Sequence, residues 1–167
     1  METYIRPIAH TSDEISMGQR YWHYQVPECN AVSATANMNG FTPLNAIKMH
    51  FGWDQEVVVR AAKACNKKGE VCIVDLSPRL LLVPATKGQG DAPFLIRDLI
   101  AAVRAAELRN LHFTHFGFIQ GHMPRGEISS VLRYLFSQTA TEWLSRLVID
   151  VDSRIETAFY ELLANAR

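Results

Sequence analysis

The stretch EVCIVDLSPRLLLVPA, Glu70–Ala85, decides the fold. It holds two apolar runs, Glu70–Leu76 and Arg79–Ala85, parted by Ser77-Pro78. A strand with one wet face alternates apolar and polar residues. The second run does not alternate, which marks a strand covered on both faces. Such a strand needs a layer above and a layer below it.

Reading outward from this pair, helices and strands alternate. Upstream, Ala31–Thr35 (AVSAT) is short, small and partly β-branched, and reads as a buried strand. Leu44–Phe51 has helical spacing, with Leu44, Ile47 and Phe51 on one face and Gly52 as a left-handed cap. Asp54 is a natural N-cap for a second helix to Lys68, with Val57, Val58, Ala61 and Ala64 expected inward and Gly69 closing it. Downstream, Thr86–Pro93 is a loop with Gly88 and Gly90. Phe94–Leu108 then reads as an amphipathic helix with Leu95, Leu99, Ala102, Val103 and Ala106 on its stripe. Leu111–Phe118 and Arg146–Val151 are expected strands. Gly126–Phe136 is a helix with Ile128, Val131, Leu132 and Leu135 inward, and Ser153 caps a last helix to Ala164 in which Ile155, Phe159 and Leu162 or Leu163 pack back.

Strands alternating with helices of this length predict a three-layer α/β/α sandwich around a mixed, mainly parallel sheet. At 167 residues one domain is expected over 1–167. Residues 1–29 are the exception and show no clear element. Their aromatic run Arg20–Tyr24 suits an edge strand or a lid, with Tyr21, Trp22 and Tyr24 more suited to packing than to stacking on a base.

Composition removes several classes. Lysine plus arginine and aspartate plus glutamate stand at 17 each, so no broad surface for nucleic acid is expected. No apolar run has the length of a membrane span. The start, METYIRPIAH, lacks the apolar core of a secretory signal. Cys29, Cys65 and Cys72 have no CxxC spacing and read as reduced thiols that pack, so a cytoplasmic location is expected.

In a parallel α/β sheet, ligands sit beyond the carboxyl ends of the strands. Three loops follow strands and precede helices: Ala36–Pro43, Thr86–Pro93 and Gly117–Arg125. Helix N-termini there aim N–H groups into the crevice, a geometry for phosphate. Gly117 and Gly121 leave backbone free to cradle an anion, with Phe118, Ile119 and Gln120 between them. Lys87 in the middle loop is more simply solvated.

The stretch Leu111–Pro124 carries three of six histidines. On a strand, His112 and His115 point to opposite faces, so they do not share a metal. A zinc site needs three or four convergent ligands, and no metal is expected. His115, nearer the strand's carboxyl end, or His122 is the candidate general base, with a satisfied or solvated imidazole the simpler reading of each. His10-Thr11-Ser12 and His112-Phe113-Thr114 give a weak two-histidine phosphoesterase pattern, with no strand signal around His10.

The chain resembles a macro domain, a fold that commonly binds ADP-ribose. Ala31–Asn37 with Gly40 and the Leu44–Gly52 helix resembles the family's strand, Ala-Asn, glycine-rich loop and helix ending in glycine. Gly69–Pro84 with Phe94–Leu108 resembles the middle strands and their helix. His115–Gly121 with Pro124 resembles the second phosphate loop, and Leu147–Leu163 the last strand and helix. The resemblance runs from about residue 30 to 165. Met38–Leu44 departs from it, with one glycine where the family has several, and Ser33 stands where an earlier asparagine is common. Glu28 is the nearest acid to the place of the adenine-reading aspartate, and Asp13 lies further off.

The resemblance implies an ADP-ribose-like nucleotide or an ADP-ribosylated macromolecule as partner, with no cofactor. Ala36, Asn37, Asn39, Gly40 and Gly117–Gly121 are the ligand-binding candidates. Asn37 would position ribose or water. If the chain is an enzyme, an ADP-ribosyl hydrolase is implied, with Asn37 and His115 as the catalytic candidates, and binding is favoured over catalysis. The alternatives are a histidine-dependent phosphoesterase and an interaction domain that has lost its pocket.

Overall fold

Leu80, Leu81, Leu82 and Val83 are all fully buried, as an unbroken apolar strand requires. Around them a computed structural model describes residues 1–8, 28–38, 43–85, 92–114, 125–152 and 156–166. The strands are β1 (Glu2–Ile8), β2 (Ala31–Thr35), β3 (Cys72–Val74), β4 (Arg79–Val83), β5 (Asn110–Thr114) and β6 (Arg146–Asp152). They form one six-stranded sheet in the order β1-β6-β5-β2-β4-β3. Every pairing is parallel except β3 with β4. The helices are α1 (Pro43–Phe51), α2 (Gln55–Lys68), α3 (Ala92–Ala105), α4 (Arg125–Leu135), α5 (Gln138–Trp143) and α6 (Glu156–Ala166).

Strand alternation sorts the core into two layers. Ala31, Leu81, Val83, Leu111, Phe113, Leu147 and Ile149 face Leu99 and Val103 of α3, Leu132 and Leu135 of α4, and Phe159 of α6. Val32, Ala34, Leu80 and Leu82 face Leu44 and Ile47 of α1 and Val58, Ala62 and Cys65 of α2. The mixed, mainly parallel α/β/α sandwich is therefore the observed architecture. Among the described residues no helix is long and apolar enough to cross a membrane.

Local chemistry explains most boundaries. Asp54 accepts from the Val57 amide at 3.1 Å, and Gly69 ends α2 at φ 68°, with its N–H on Cys65 O. That cap also sets the helix's rotation. Val58, Ala62 and Cys65 are inward, at steps of four and three. Val57, expected inward, is 40% exposed, and Ala64 is exposed as well. Ala61 lies between them at the margin. Strand β3 is shorter than Glu70–Leu76 because it is the sheet's edge and pairs only over Cys72–Val74. Helix α3 stops at Ala105, before the expected Leu108, since Glu107 takes a left-handed φ of 58°. The expected cap Ser153 and the aromatic run Arg20–Tyr24 lie outside the described residues.

Two elements were not legible in the sequence. Helix α5 is six residues long, too short to show a period, and is capped by Ser137 Oγ on the Ala140 amide. Strand β1 contains Arg6 and Pro7, which interrupt any apolar pattern. It is an edge strand, where proline is tolerated.

Arg6 explains why β1 is held. Its Nε and Nη2 each donate to Asp150 on β6, both at 2.7 Å, in a bidentate pair between register partners. His112 on β5 reaches the same carboxylate, Nε2 to Oδ1 at 2.8 Å. Exposure is 1%, 0% and 4% for Arg6, Asp150 and His112, so this is a charged cluster within the sheet's buried face. Burial by itself would raise the Asp150 carboxyl. His112 and Arg6 more than offset it, and the pKa is lowered.

Removing one member leaves the others buried and uncompensated. Asp150→Ala is expected to cost about 3–5 kcal/mol in urea unfolding. A loss under about 1 kcal/mol would show that the cluster contributes little. The folded pKa of Asp150 lies below its ordinary value of 3.8, so its stabilisation is full above that value. It is lost as pH falls through the folded pKa. Wild type should therefore lose stability on acidification below about pH 4 more steeply than the variant.

Candidate functional site

Strands β2 and β4 are neighbours and parallel, so their carboxyl ends leave the sheet side by side. The sequence after β2 is Ala36-Asn37-Met38, and after β4 it is Pro84-Ala85. Ala36 donates its amide to Val83 O at 2.8 Å, which carries the β2–β4 pairing one residue past the strand. Asn37 then donates to Thr35 O at 2.7 Å, a tight reversal that turns the chain out of the sheet.

One side chain joins the two exits. Asn66, near the end of α2, donates Nδ2 to Ala36 O at 2.7 Å and accepts the Ala85 amide on Oδ1 at 2.9 Å. An amide that gives one bond and takes one bridges two backbones without bringing any charge. Helix α2 thereby fixes the starting points of two of the three loops expected to line the crevice. A second amide holds the first loop from its other side. Asn45, on the first turn of α1 and 8% exposed, donates Nδ2 to Met38 O at 2.6 Å.

These contacts place the sequence candidates. Ala36 is buried at the exit of β2, and Asn37 is half-buried beside it. Asn39, Gly40, His115, Gly117, Phe118, Ile119, Gln120 and Gly121 lie outside the described residues, as do Lys87, Gly88, Gly90 and His122. On sequence, Asn66 is a polar residue in the lysine-rich end of a helix, with no sign of its reach to loops 30 and 19 residues away.

The described part of the histidine stretch is structural. His112 is buried and engaged by Asp150. Thr114, on the same face, is 1% exposed and donates to Ser33 O at 2.7 Å. A His-x-Thr phosphoesterase motif would present both groups to a substrate, and these two are spent inside the sheet. His10 of the paired motif lies outside the described residues. Trp53 and Trp143 both make contacts within the chain. Trp53 stacks on Phe51 and donates to Ser77 O. Trp143 donates to Leu108 O and carries the Arg109 guanidinium over its ring at 4.2 Å.

Cutting the amide bridge tests its role. Asn66→Ala is expected to cost about 1–2 kcal/mol and to speed hydrogen exchange at the Ala85 amide. The α2 amides from Val58 to Ala62 should keep their protection. Unchanged exchange at Ala85 would show that the bridge does not hold the second loop.

No protein-family model matches the sequence, and no curated protein matches it. Solved structures do. The chain is similar to the macro domain of ganglioside induced differentiation associated protein 2, with TM-score 0.63, 10% identity and 99% of this chain against 84% of that one. An Oceanobacillus iheyensis macrodomain solved with ADP gives TM-score 0.59 at 13% identity, covering 82% of this chain and 83% of that one. The macrodomain of Thermus aquaticus DarG gives 0.58 at 14%, covering 89% and 98%. Sheet order, layers and these matches agree that the chain has the macrodomain fold.

Proposed function

We propose that the crevice at the carboxyl edge of the sheet binds ADP-ribose, free or as an ADP-ribosyl group on a macromolecule. The observation that carries this is the Asn66 bridge, which seats the exits of β2 and β4 together in a fold whose solved members include complexes with ADP and with ADPR. Parallel sheets bind ligands at this edge. Asn37 stands at the first exit, suited to a ribose hydroxyl. The chains leaving these strands run on to α1 and α3, and the one leaving β5 runs on to α4. The N-termini of these helices supply partial positive charge for a diphosphate without a basic surface. Such local attraction suits a chain whose formal net charge is zero.

The reading is one of binding. At the described exits of β2 and β4 stand alanine, asparagine, methionine and proline, none of which is a general base. Should turnover be found, the bond broken is an ADP-ribosyl linkage, with Asn37 orienting ribose or water and His115 as the base to test. Asn39, Gly40 and the Gly117–Gly121 turn complete the proposed ligand-binding set.

Calorimetry with ADP-ribose on the full chain is the test. A saturable signal is expected below millimolar ligand, and no heat at millimolar ligand would end the proposal. Asn37→Ala should weaken binding by about tenfold, or ~1.4 kcal/mol. Equal affinity would remove Asn37 from the site.

A further inference from the structure

Two of the chain's three cysteines, distant from the crevice candidates in role, are brought together by the turn after α2. Gly69 takes a left-handed φ of 68° and sends the chain back as β3. Cys72 begins that strand, directly opposite Leu82 of β4. Opposed residues of an antiparallel pair share a face, so Cys72 points to the layer that α2 covers. Cys65 approaches from α2. Its Sγ lies 3.2 Å from Glu70 O and 3.5 Å from Leu82 O, and is fully buried. Both side chains belong to the same apolar cluster, Cys65 inside it and Cys72 against it. Cys65 Sγ thus reaches the carbonyl of the same residue that Cys72 opposes in the register, which sets the two side chains beside each other.

We propose that Cys72 and Cys65 form an oxidation site for peroxides, with Cys72 the attacking thiol and Cys65 the resolving one. The assignment of roles follows from access. Cys72 is half-buried on an edge strand, whereas Cys65 has no exposed surface. It also follows from charge. The neighbouring Cys65 thiol lowers the Cys72 pKa to about 7, against the opposing effect of burial and with the help of Lys68. The same pairing, with burial behind it, raises Cys65. Cys29 is the internal contrast, since burial raises it to about 11. A thiolate is the form that reacts, and an exposed low-pKa thiol beside a second thiol is the arrangement that oxidises reversibly.

The step balances as follows. The Cys72 thiolate attacks one peroxide oxygen and the O–O bond breaks, giving a sulfenic acid and hydroxide. The Cys65 sulfur attacks the Cys72 sulfur, the S–O bond breaks, and a second hydroxide leaves. The protons lost by the two thiols convert both hydroxides to water. Two thiols are oxidised to one disulfide, and one hydrogen peroxide is reduced to two waters.

The test treats the full chain with stoichiometric hydrogen peroxide, blocks remaining thiols with iodoacetamide, and maps peptides without reductant. A Cys65–Cys72 linked peptide with Cys29 alkylated is expected, reversed by dithiothreitol. In Cys65→Ser, Cys72 should stop at the sulfenic acid and be captured by dimedone. In Cys72→Ser, Cys65 should remain a thiol. A disulfide through Cys29, or wild-type Cys72 recovered as alkylated thiol or as sulfinic acid, would overturn the proposal. So would the absence of dimedone capture in a folded Cys65→Ser chain.

Discussion

A single carboxylate organises the left half of the sheet. Asp150 sits on β6 with β1 on one side and β5 on the other, and it binds a residue from each. Arg6 takes both of its oxygens and His112 shares one. A charge at this depth is tolerable only while it is paired. The same requirement fixes register, because Arg6 and Asp150 are direct partners and a slip of one residue would turn one of them into the opposite layer. The edge strand β1, too polar to be held by apolar contact alone, is thus tied to the strands that frame the sheet's carboxyl edge.

The right half is organised without charge. Gly69 reverses the chain after α2, β3 closes a short antiparallel edge, and Asn66 reaches back to two loops. The neighbouring positions on α2 carry different duties. Cys65 packs inward against β4, whereas Asn66 bonds to backbone at the exits of β2 and β4. One turn of helix therefore serves both the core and the carboxyl edge of the sheet.

Much of the fold was legible because it rests on local rules. The caps Asp54 and Gly69, the unbroken run Leu80–Val83, and the inward set Ile128, Val131, Leu132 and Leu135 are properties of nearby residues. What escaped was long-range. Strand β1 has no local apolar signature, and it is held by a partner 144 residues away. Asp150 is one charge inside the apolar run RLVIDV, and nothing local to it names Arg6 or His112 as its partners. The exits of the strands divide in the same way: Ala36 and Asn37 lie just past β2, where the sequence puts them, while Asn45 and Asn66 act on backbone that only folding brings near.

The sequence by itself determined the layers, the mainly parallel sheet and the edge at which loops gather. Those depend on periodicity and on the geometry of strand–helix units. The tertiary structure alone decided which polar side chains hold that edge and which are spent within the core. His112 is fastened to Asp150 inside the sheet, and Asn66, at the surface end of α2, bridges two loops. A hydrogen bond between distant residues leaves no period in a sequence, so its partners become known only when the chain has brought them within reach.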